Sequence, residues 1–154
     1  MADSDPLEQK NTIDGTVLVV EDDEEDIFIL RRALNKSPIN LDMDIVQNGQ
    51  EAIDYLIARH EDRTLSDLSL ILLDLNLPLM DGHAFLKWLR NEPRFSALPV
   101  VVLTTSREPE IIKKAYRDGA NAVVSKADTL EGMMRIVDTI VQFWFKTAQK
   151  YYLD

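Results

Sequence analysis

The chain has no cysteine among its 154 residues, which excludes disulfides, thiol redox chemistry and a cysteine-ligated zinc site. It has no cluster of Lys and Arg, and its formal net charge is -10 at pH 7. Nucleic acids and anionic membranes are bound through dense positive charge, so we expect neither as a partner. No apolar run approaches the length of a membrane span. The N-terminus lacks the basic and apolar regions of a signal peptide, and we therefore expect a cytoplasmic protein.

The length of the chain suits one domain with a sizeable apolar core. The first residues, MADSDPLEQKNTID, are polar and acidic and show no pattern of a packed element. We expect a flexible leader over residues 1–14 and one domain over residues 15–148. Residues 149–154 form a short tail, which is a candidate dimer arm.

Three short apolar runs lack the alternation of a half-exposed strand, which predicts central strands covered on both faces. These runs are TVLVV (16–20), LILL (70–73) and PVVVL (99–103). The segments LDMDIV (41–46) and NAVVS (121–125) suit the edges of a sheet, because the first alternates and the second is short. Helical patterns occupy the intervals between strands. This order predicts an α/β fold: a doubly wound five-stranded parallel sheet, flavodoxin-like (β/α)5, with strand order 2-1-3-4-5.

Two segments outside the strands carry further expectations. The stretch ARHEDRTLSDLS (58–69) is charged and predicts a long surface loop. The last helix is predicted from about Leu130 to Ala148 and has too many apolar residues for one buried face.

Polar side chains follow several of the predicted strands. Glu21 and Asp22 follow the first, Asp74 the third, Thr104 ends the fourth and Lys126 follows the fifth. The carboxyl ends of parallel strands lie at one edge of the sheet, where ligands bind in such folds, so we expect Asp74 to be exposed at the mouth of a site. Clustered carboxylates suit Mg²⁺, and a carboxylate can itself accept a phosphoryl group as an acyl phosphate. A lysine and a hydroxyl would stabilise the charge on the phosphoryl oxygens.

The acidic run from Glu21 to Asp26 continues past these site residues. Asp23 is interpreted as a helix N-cap, and the next three acids as the favoured negative charge at a helix N-terminus. His60 and His83 have no partners at ligand spacing and are interpreted as surface residues.

The motifs TVLVVEDDEED, LILLDLNLPLMDG, LPVVVLTTS and ANAVVSK resemble, in this order, those of the receiver domain of two-component response regulators. The resemblance covers nearly the whole chain. It implies that a sensor histidine kinase phosphorylates Asp74, that Thr104 moves toward the phosphoryl group and that Lys126 pairs with it. It also implies a Mg²⁺ site, with Asp22 as a direct ligand and Asn76 binding through its backbone carbonyl. The implied metal-site residues are Glu21, Asp22, Asp74 and Asn76.

Within this family, the chain looks most like the single-domain regulators associated with phytochromes. It shares their VEDxxxD opening, the insert before the third strand and an FW pair in the last helix, here Phe143 and Trp144. The resemblance implies a bacteriophytochrome as the kinase and output through protein contacts or a downstream phosphotransfer protein. Two positions depart from the family pattern. Val123 stands where many receivers have an aromatic residue, and Ala127 stands where most have proline after the lysine, which leaves the conformation of the Lys126–Ala127 bond open.

The apolar residues of the last helix form two neighbouring stripes, of which one can pack on the sheet. The alternatives are a helix that packs into a groove of its own domain and a helix that forms a homodimer interface, and the exposed-patch rule favours the dimer. The resemblance to phytochrome-linked regulators likewise implies a dimer formed through this helix and a C-terminal extension. The predicted interface residues are Met133, Ile136, Ile140, Phe143, Tyr151 and Tyr152.

Three other functions compete with a phosphoacceptor. A Mg²⁺-dependent phosphohydrolase would commonly need a second Asp two residues after Asp74, where this chain has Asn76. A flavodoxin-type cofactor protein would place a phosphate against the acidic segment EDDEED, which repels it. A receiver-shaped interaction module that never meets phosphate is the third alternative.

Overall fold

The computed structural model describes residues 13–149. Strands and helices alternate along the chain, and a 3₁₀ turn (Leu65–Asp67) precedes the third strand. The strands are β1 (Gly15–Val20), β2 (Leu41–Val46), β3 (Leu68–Leu73), β4 (Val100–Thr104) and β5 (Ala122–Ser125). The helices are α1 (Glu24–Lys36), α2 (Gly49–Glu61), α3 (Gly82–Asn91), α4 (Pro109–Asp118) and α5 (Leu130–Gln142), and a π-helical turn (Phe143–Thr147) follows α5.

The sheet is parallel, and its strand order is β2-β1-β3-β4-β5, as the sequence predicted. Helices cover both faces, which explains why the central strands show no alternation of apolar and polar residues. In β1, Leu18 and Val20 pack in one apolar layer with α2 and α3, whereas Val17 and Val19 pack in the other with α1 and α5. No helix in the range 13–149 is both long enough and apolar enough to cross a membrane.

The prediction of a long loop over residues 58–69 is wrong. Helix α2 continues to Glu61, and β3 already begins at Leu68. The side chains of Leu65 and Leu68 are buried in the apolar layer beside α2, so burial of these residues organises the segment as a turn and a strand.

Helix α5 buries one face against α1 and the sheet through four apolar residues. Met133 and Ile140, which were predicted for a dimer interface, belong to this buried face and are therefore not available to a partner. Together with the two other buried residues of this helix, they follow the i, i+4, i+7, i+8 pattern of a single helical face. The sequence analysis had divided these four residues between two stripes. The buried residues of this face are Met133, Val137, Ile140 and Val141.

The remaining residues of the predicted interface differ in their surroundings. Ile136 is partly buried against the same apolar layer, and Phe143 is 48% exposed and contacts the ring of Trp144. Tyr151 and Tyr152 lie outside the described residues. Part of α5 therefore packs within its own domain, which was the alternative considered above.

Candidate phosphoacceptor and metal site

Three carboxylates meet at the carboxyl edge of the sheet because β1 and β3 are neighbours. Val20 pairs with Leu73 in the parallel ladder, and the backbone N–H of Asp74 donates to the carbonyl of Val20 at 3.0 Å. The residues that follow the two strands therefore leave the sheet side by side. One oxygen from each of Glu21, Asp22 and Asp74 lies within 4.8 Å of the others, as a divalent cation would require.

Glu21 is the most deeply buried of the three carboxylates and is only 2% exposed. Its Oε1 accepts a hydrogen bond from Lys126 Nζ at 2.8 Å, and its Oε2 accepts from the backbone N–H of Asp22 at 3.1 Å and of Asp23 at 3.4 Å. Burial raises the pKa of Glu21 to about 7, although the hydrogen bond from Lys126 opposes this rise. Glu21 is thus an acid whose ionisation depends on the positive charge around it.

Asp74 is 9% exposed, so the prediction of a carboxylate exposed at the mouth of the site is wrong. Its carboxylate lies beside the backbone of Leu75 and Asn76 in the loop after β3, beside the Glu21 carboxylate and 3.8 Å from Lys126 Nζ. Burial raises the pKa of Asp74, whereas the charge of Lys126 lowers it. The side chain lies in a shallow recess and not on an open rim.

Lys126 links β5 to the carboxylates. Its backbone N–H donates to the carbonyl of Thr104 at 2.8 Å, and its largely buried side chain places Nζ 3.8 Å from Asp74 Oδ1. Nζ also lies 2.8 Å from Glu21 Oε1 and 2.8 Å from Asp26 Oδ2. Burial lowers the pKa of Lys126, but its carboxylate partners raise it more, so the ammonium group stays charged.

The contact with Asp26 was missed by the sequence analysis, which had interpreted this residue as part of a solvated helix start. The sequence offers no clear signal for this contact, since Asp26 lies in the first turn of α1, where acids are favoured without any partner. Only the position of Lys126 at the end of β5 shows which way the Asp26 carboxylate points.

The structure places the other predicted residues around the same edge. Thr104 is buried at the end of β4, and its Oγ1 accepts from the N–H of Ser106 at 3.1 Å. Asn76 is exposed in the loop two residues after Asp74. The residues from 13 to 149 contain no cis peptide bond, so the Lys126–Ala127 bond is trans.

The donor set fits Mg²⁺, a hard cation that prefers oxygen ligands and keeps several waters. Asp22 is exposed and Asp74 borders the recess, so a hydrated ion could be bound from the solvent side. Four carboxylates, those of Glu21, Asp22, Asp26 and Asp74, face one ammonium group there, and a divalent cation would offset the excess negative charge.

Comparison with known proteins identifies the family of this chain. The family model of the response regulator receiver domain matches residues 17–138, and the chain belongs to this family. It is 34% identical over 128 residues to the probable methanogenesis regulatory protein FilR2 of Methanothrix harundinacea, covering 83% of this chain and 82% of that protein. It is 33% identical over 132 residues to the response regulator Rcp1 of Synechocystis, covering 86% of this chain and 90% of that protein.

Solved structures of phytochrome response regulators share the fold. The phosphorylated cyanobacterial phytochrome response regulator RcpA has a TM-score of 0.81 and 35% identity, covering 88% of this chain and 97% of that one. The Mn²⁺-bound form of Rcp1 has a TM-score of 0.79 and 31% identity, covering 89% of this chain and 99% of that one. This protein is thus a receiver-domain response regulator homologous to phytochrome-associated response regulators.

Proposed function

We propose that this protein accepts a phosphoryl group on Asp74 from a phosphohistidine of a sensor histidine kinase, in a reaction that requires Mg²⁺. Phosphorylation and dependence on Mg²⁺ are general in its family, whose receiver domains are signalling domains and not enzymes that turn over a metabolite. The observation that carries the proposal is the meeting of Asp74 with the Glu21 and Asp22 carboxylates, with the Lys126 ammonium 3.8 Å away.

The residues of the site suggest how the transfer proceeds. A carboxylate oxygen of Asp74 attacks phosphorus, the P–N bond of the donor breaks, and the imidazole leaves with the bonding electrons. Lys126 neutralises charge on the transferred oxygens, and the hydroxyl of Thr104 donates to one of them. Magnesium, held by Asp22, Asp74 and the Asn76 carbonyl, would neutralise further phosphoryl charge. Water later attacks phosphorus, the bond between phosphorus and the Asp74 oxygen breaks, and inorganic phosphate leaves, so that Asp74 is again a free carboxylate.

The partners of the protein are proposed from its relatives. Similarity to RcpA and Rcp1 supports a bacteriophytochrome as the kinase. The exposed Phe143 supports a homodimer through the end of the last helix, although Met133 and Ile140 no longer belong to its interface. Output through a downstream phosphotransfer protein and a cytoplasmic location stay predictions.

Intact mass measurement tests the phosphoryl transfer. Wild-type protein incubated with acetyl phosphate and Mg²⁺ is expected to gain about 80 Da, the mass of one phosphoryl group on a carboxylate. The Asp74→Asn variant is expected to gain nothing, because an amide is not a nucleophile of this kind, and EDTA should abolish the gain in the wild type. If neither acetyl phosphate nor the partner kinase adds mass to the wild type, the protein is instead an interaction module that works without phosphate.

A further inference from the structure

Asp26 binds the lysine that the phosphoryl group would need. Its Oδ2 lies 2.8 Å from Lys126 Nζ, whereas Asp74 Oδ1 lies 3.8 Å from the same nitrogen. Before phosphorylation, the ammonium group is therefore hydrogen-bonded to Asp26 and Glu21 and makes only a longer ion pair with Asp74.

The start of α1 explains why the Asp26 carboxylate is available for this contact. Asp23 is the N-cap, and its Oδ1 accepts from the backbone N–H of Asp26 at 2.9 Å. An acid at this third helical position commonly reaches back to the N–H of the N-cap residue. Here the N–H of Asp23 donates to Glu21 Oε2 at 3.4 Å, and the Asp26 side chain extends to Lys126.

Asp26 differs from Glu21 in its relation to the metal site. Within residues 13–149, the carboxylates close enough to share an ion are Glu21, Asp22 and Asp74, and Asp26 lies outside this cluster. It is partly buried and acts on the site only through the ion pair with Lys126.

We propose that Asp26 is a positioning residue, which holds Lys126 toward α1 in the unphosphorylated protein and competes with the phosphoryl group for its charge. This inference rests on the function proposed above. The ammonium group has three N–H donors, and those directed to Asp26 and Glu21 cannot at the same time donate to the oxygens of an incoming phosphoryl group. Phosphorylation therefore requires the ion pair between Asp26 and Lys126 to weaken, and this requirement slows the transfer.

The Asp26→Asn variant tests this competition, because it removes the charge but keeps the size of the side chain and one oxygen acceptor. Glu25→Gln is the matched control: Glu25 is exposed on the same helical turn, and the variant changes the net charge equally. We expect Asp26→Asn to gain the phosphoryl mass from acetyl phosphate roughly 2- to 5-fold faster than wild type, which is the upper part of the range for a partly exposed ion pair converted to a rate. Glu25→Gln should stay within about twofold of wild type by the same reasoning. Asp26→Ala, which also removes the acceptor oxygen, should behave like Asp26→Asn.

Heteronuclear NMR of the Lys126 ammonium group, recorded without Mg²⁺ and without phosphate, provides a readout that does not depend on the reaction. We expect Asp26→Asn to shift this resonance and to speed exchange of its protons with water, whereas Glu25→Gln leaves both unchanged. Asp26→Asn that is phosphorylated no faster than Glu25→Gln, or more slowly than wild type, would overturn the inference while leaving the phosphoacceptor function intact. A wild type that gains no mass from any donor would instead overturn the proposed function.

Discussion

Glu21 and Lys126 form an ion pair that is almost completely removed from water. Burial of two charges is unfavourable unless each finds good partners, and here the backbone N–H groups of Asp22 and Asp23 complete the hydrogen bonding of Glu21. The nearby Asp74 adds a further negative charge, which the single charge of Lys126 does not balance. Without metal, the site therefore stores unfavourable electrostatic energy that a divalent cation can relieve.

This imbalance predicts how pH changes the stability of the metal-free protein. The pKa of Glu21 is raised from 4.5 to about 7 in the folded state, so the folded protein retains a proton that the unfolded chain releases. Since the unfolded state binds fewer protons in this interval, the free energy of unfolding falls as pH rises from about 4.5 to about 7 and then levels off. Glu21→Gln should remove this pH dependence, so in EDTA its melting temperature should rise relative to that of wild type as pH increases from about 4.5 to about 7.

The difference in melting temperature between the two proteins, followed from pH 4 to pH 8 in EDTA, isolates Glu21 from the other titrating groups. Glu25→Gln is the control and should follow the wild-type curve, because Glu25 is exposed. Mg²⁺ should raise the wild-type melting temperature more at pH 8 than at pH 5, since it binds ionised carboxylates. A difference in melting temperature between the two proteins that does not change with pH would contradict this account.

The connection from β3 to α3 shows how secondary-structure elements set the site. Asp81 caps α3, with Oδ1 accepting from the N–H of Ala84 at 2.9 Å, and the helix starts at Gly82 directly over the loop that carries Asp74. A Cβ atom on Gly82 would lie 2.4 Å from the carbonyl oxygen of Asp74 and 2.7 Å from the Cα atom of Leu75. Only a residue without a side chain allows the helix to approach the phosphoacceptor this closely.

Gly82→Ala should therefore destabilise the protein by roughly 1–3 kcal/mol, the usual effect of overpacking, despite the better helix propensity of alanine. Urea unfolding measures this change, and Asn91→Ala at the exposed end of the same helix is the control, expected within about 0.5 kcal/mol of wild type. Because the clash is with the backbone of Asp74, phosphorylation should slow as well. An unchanged free energy of unfolding would show that the helix can shift without cost.

At the scale of the whole molecule, exposed apolar residues mark the surfaces through which a partner could bind. Phe143 is 48% exposed at the end of the last helix, and Phe28 is 60% exposed on α1. The proposed dimer uses the first of these and not the second. With Met133 and Ile140 buried, the proposed interface consists of Ile136, Phe143 and the two tyrosines of the tail.

Phe143→Asp is expected to convert a wild-type dimer to a monomer, because a carboxylate would have to be buried without a partner. Light scattering coupled to size exclusion would measure this change, with Phe28→Asp as the matched control that should stay dimeric. The proposed dimer would be contradicted by a wild type that is monomeric at every concentration, with or without phosphorylation. If Phe28→Asp alone breaks the dimer, the interface is on α1 instead.

The sequence was sufficient for the fold and for most of the site. Apolar runs without alternation predicted buried central strands, and the parallel arrangement brings every strand's carboxyl end to one edge, so residues after β1, β3, β4 and β5 had to converge. Strand-end position alone thus predicted that Asp74, Thr104 and Lys126 lie at one edge of the sheet, because this convergence is a property of chain topology and not of side-chain detail.

Only the tertiary structure decided what depends on packing between distant segments. The burial of Asp74 depends on Glu21, Lys126 and the backbone after β3, which surround its carboxylate, and the separation of 100 positions between Asp26 and Lys126 hides their ion pair from any local pattern. The burial of Met133 and Ile140 likewise depends on which side of α5 faces α1 and the sheet. Local periodicity determines which elements form, but the orientation of a helix and the direction of a long charged side chain are fixed by neighbours that the sequence places far away.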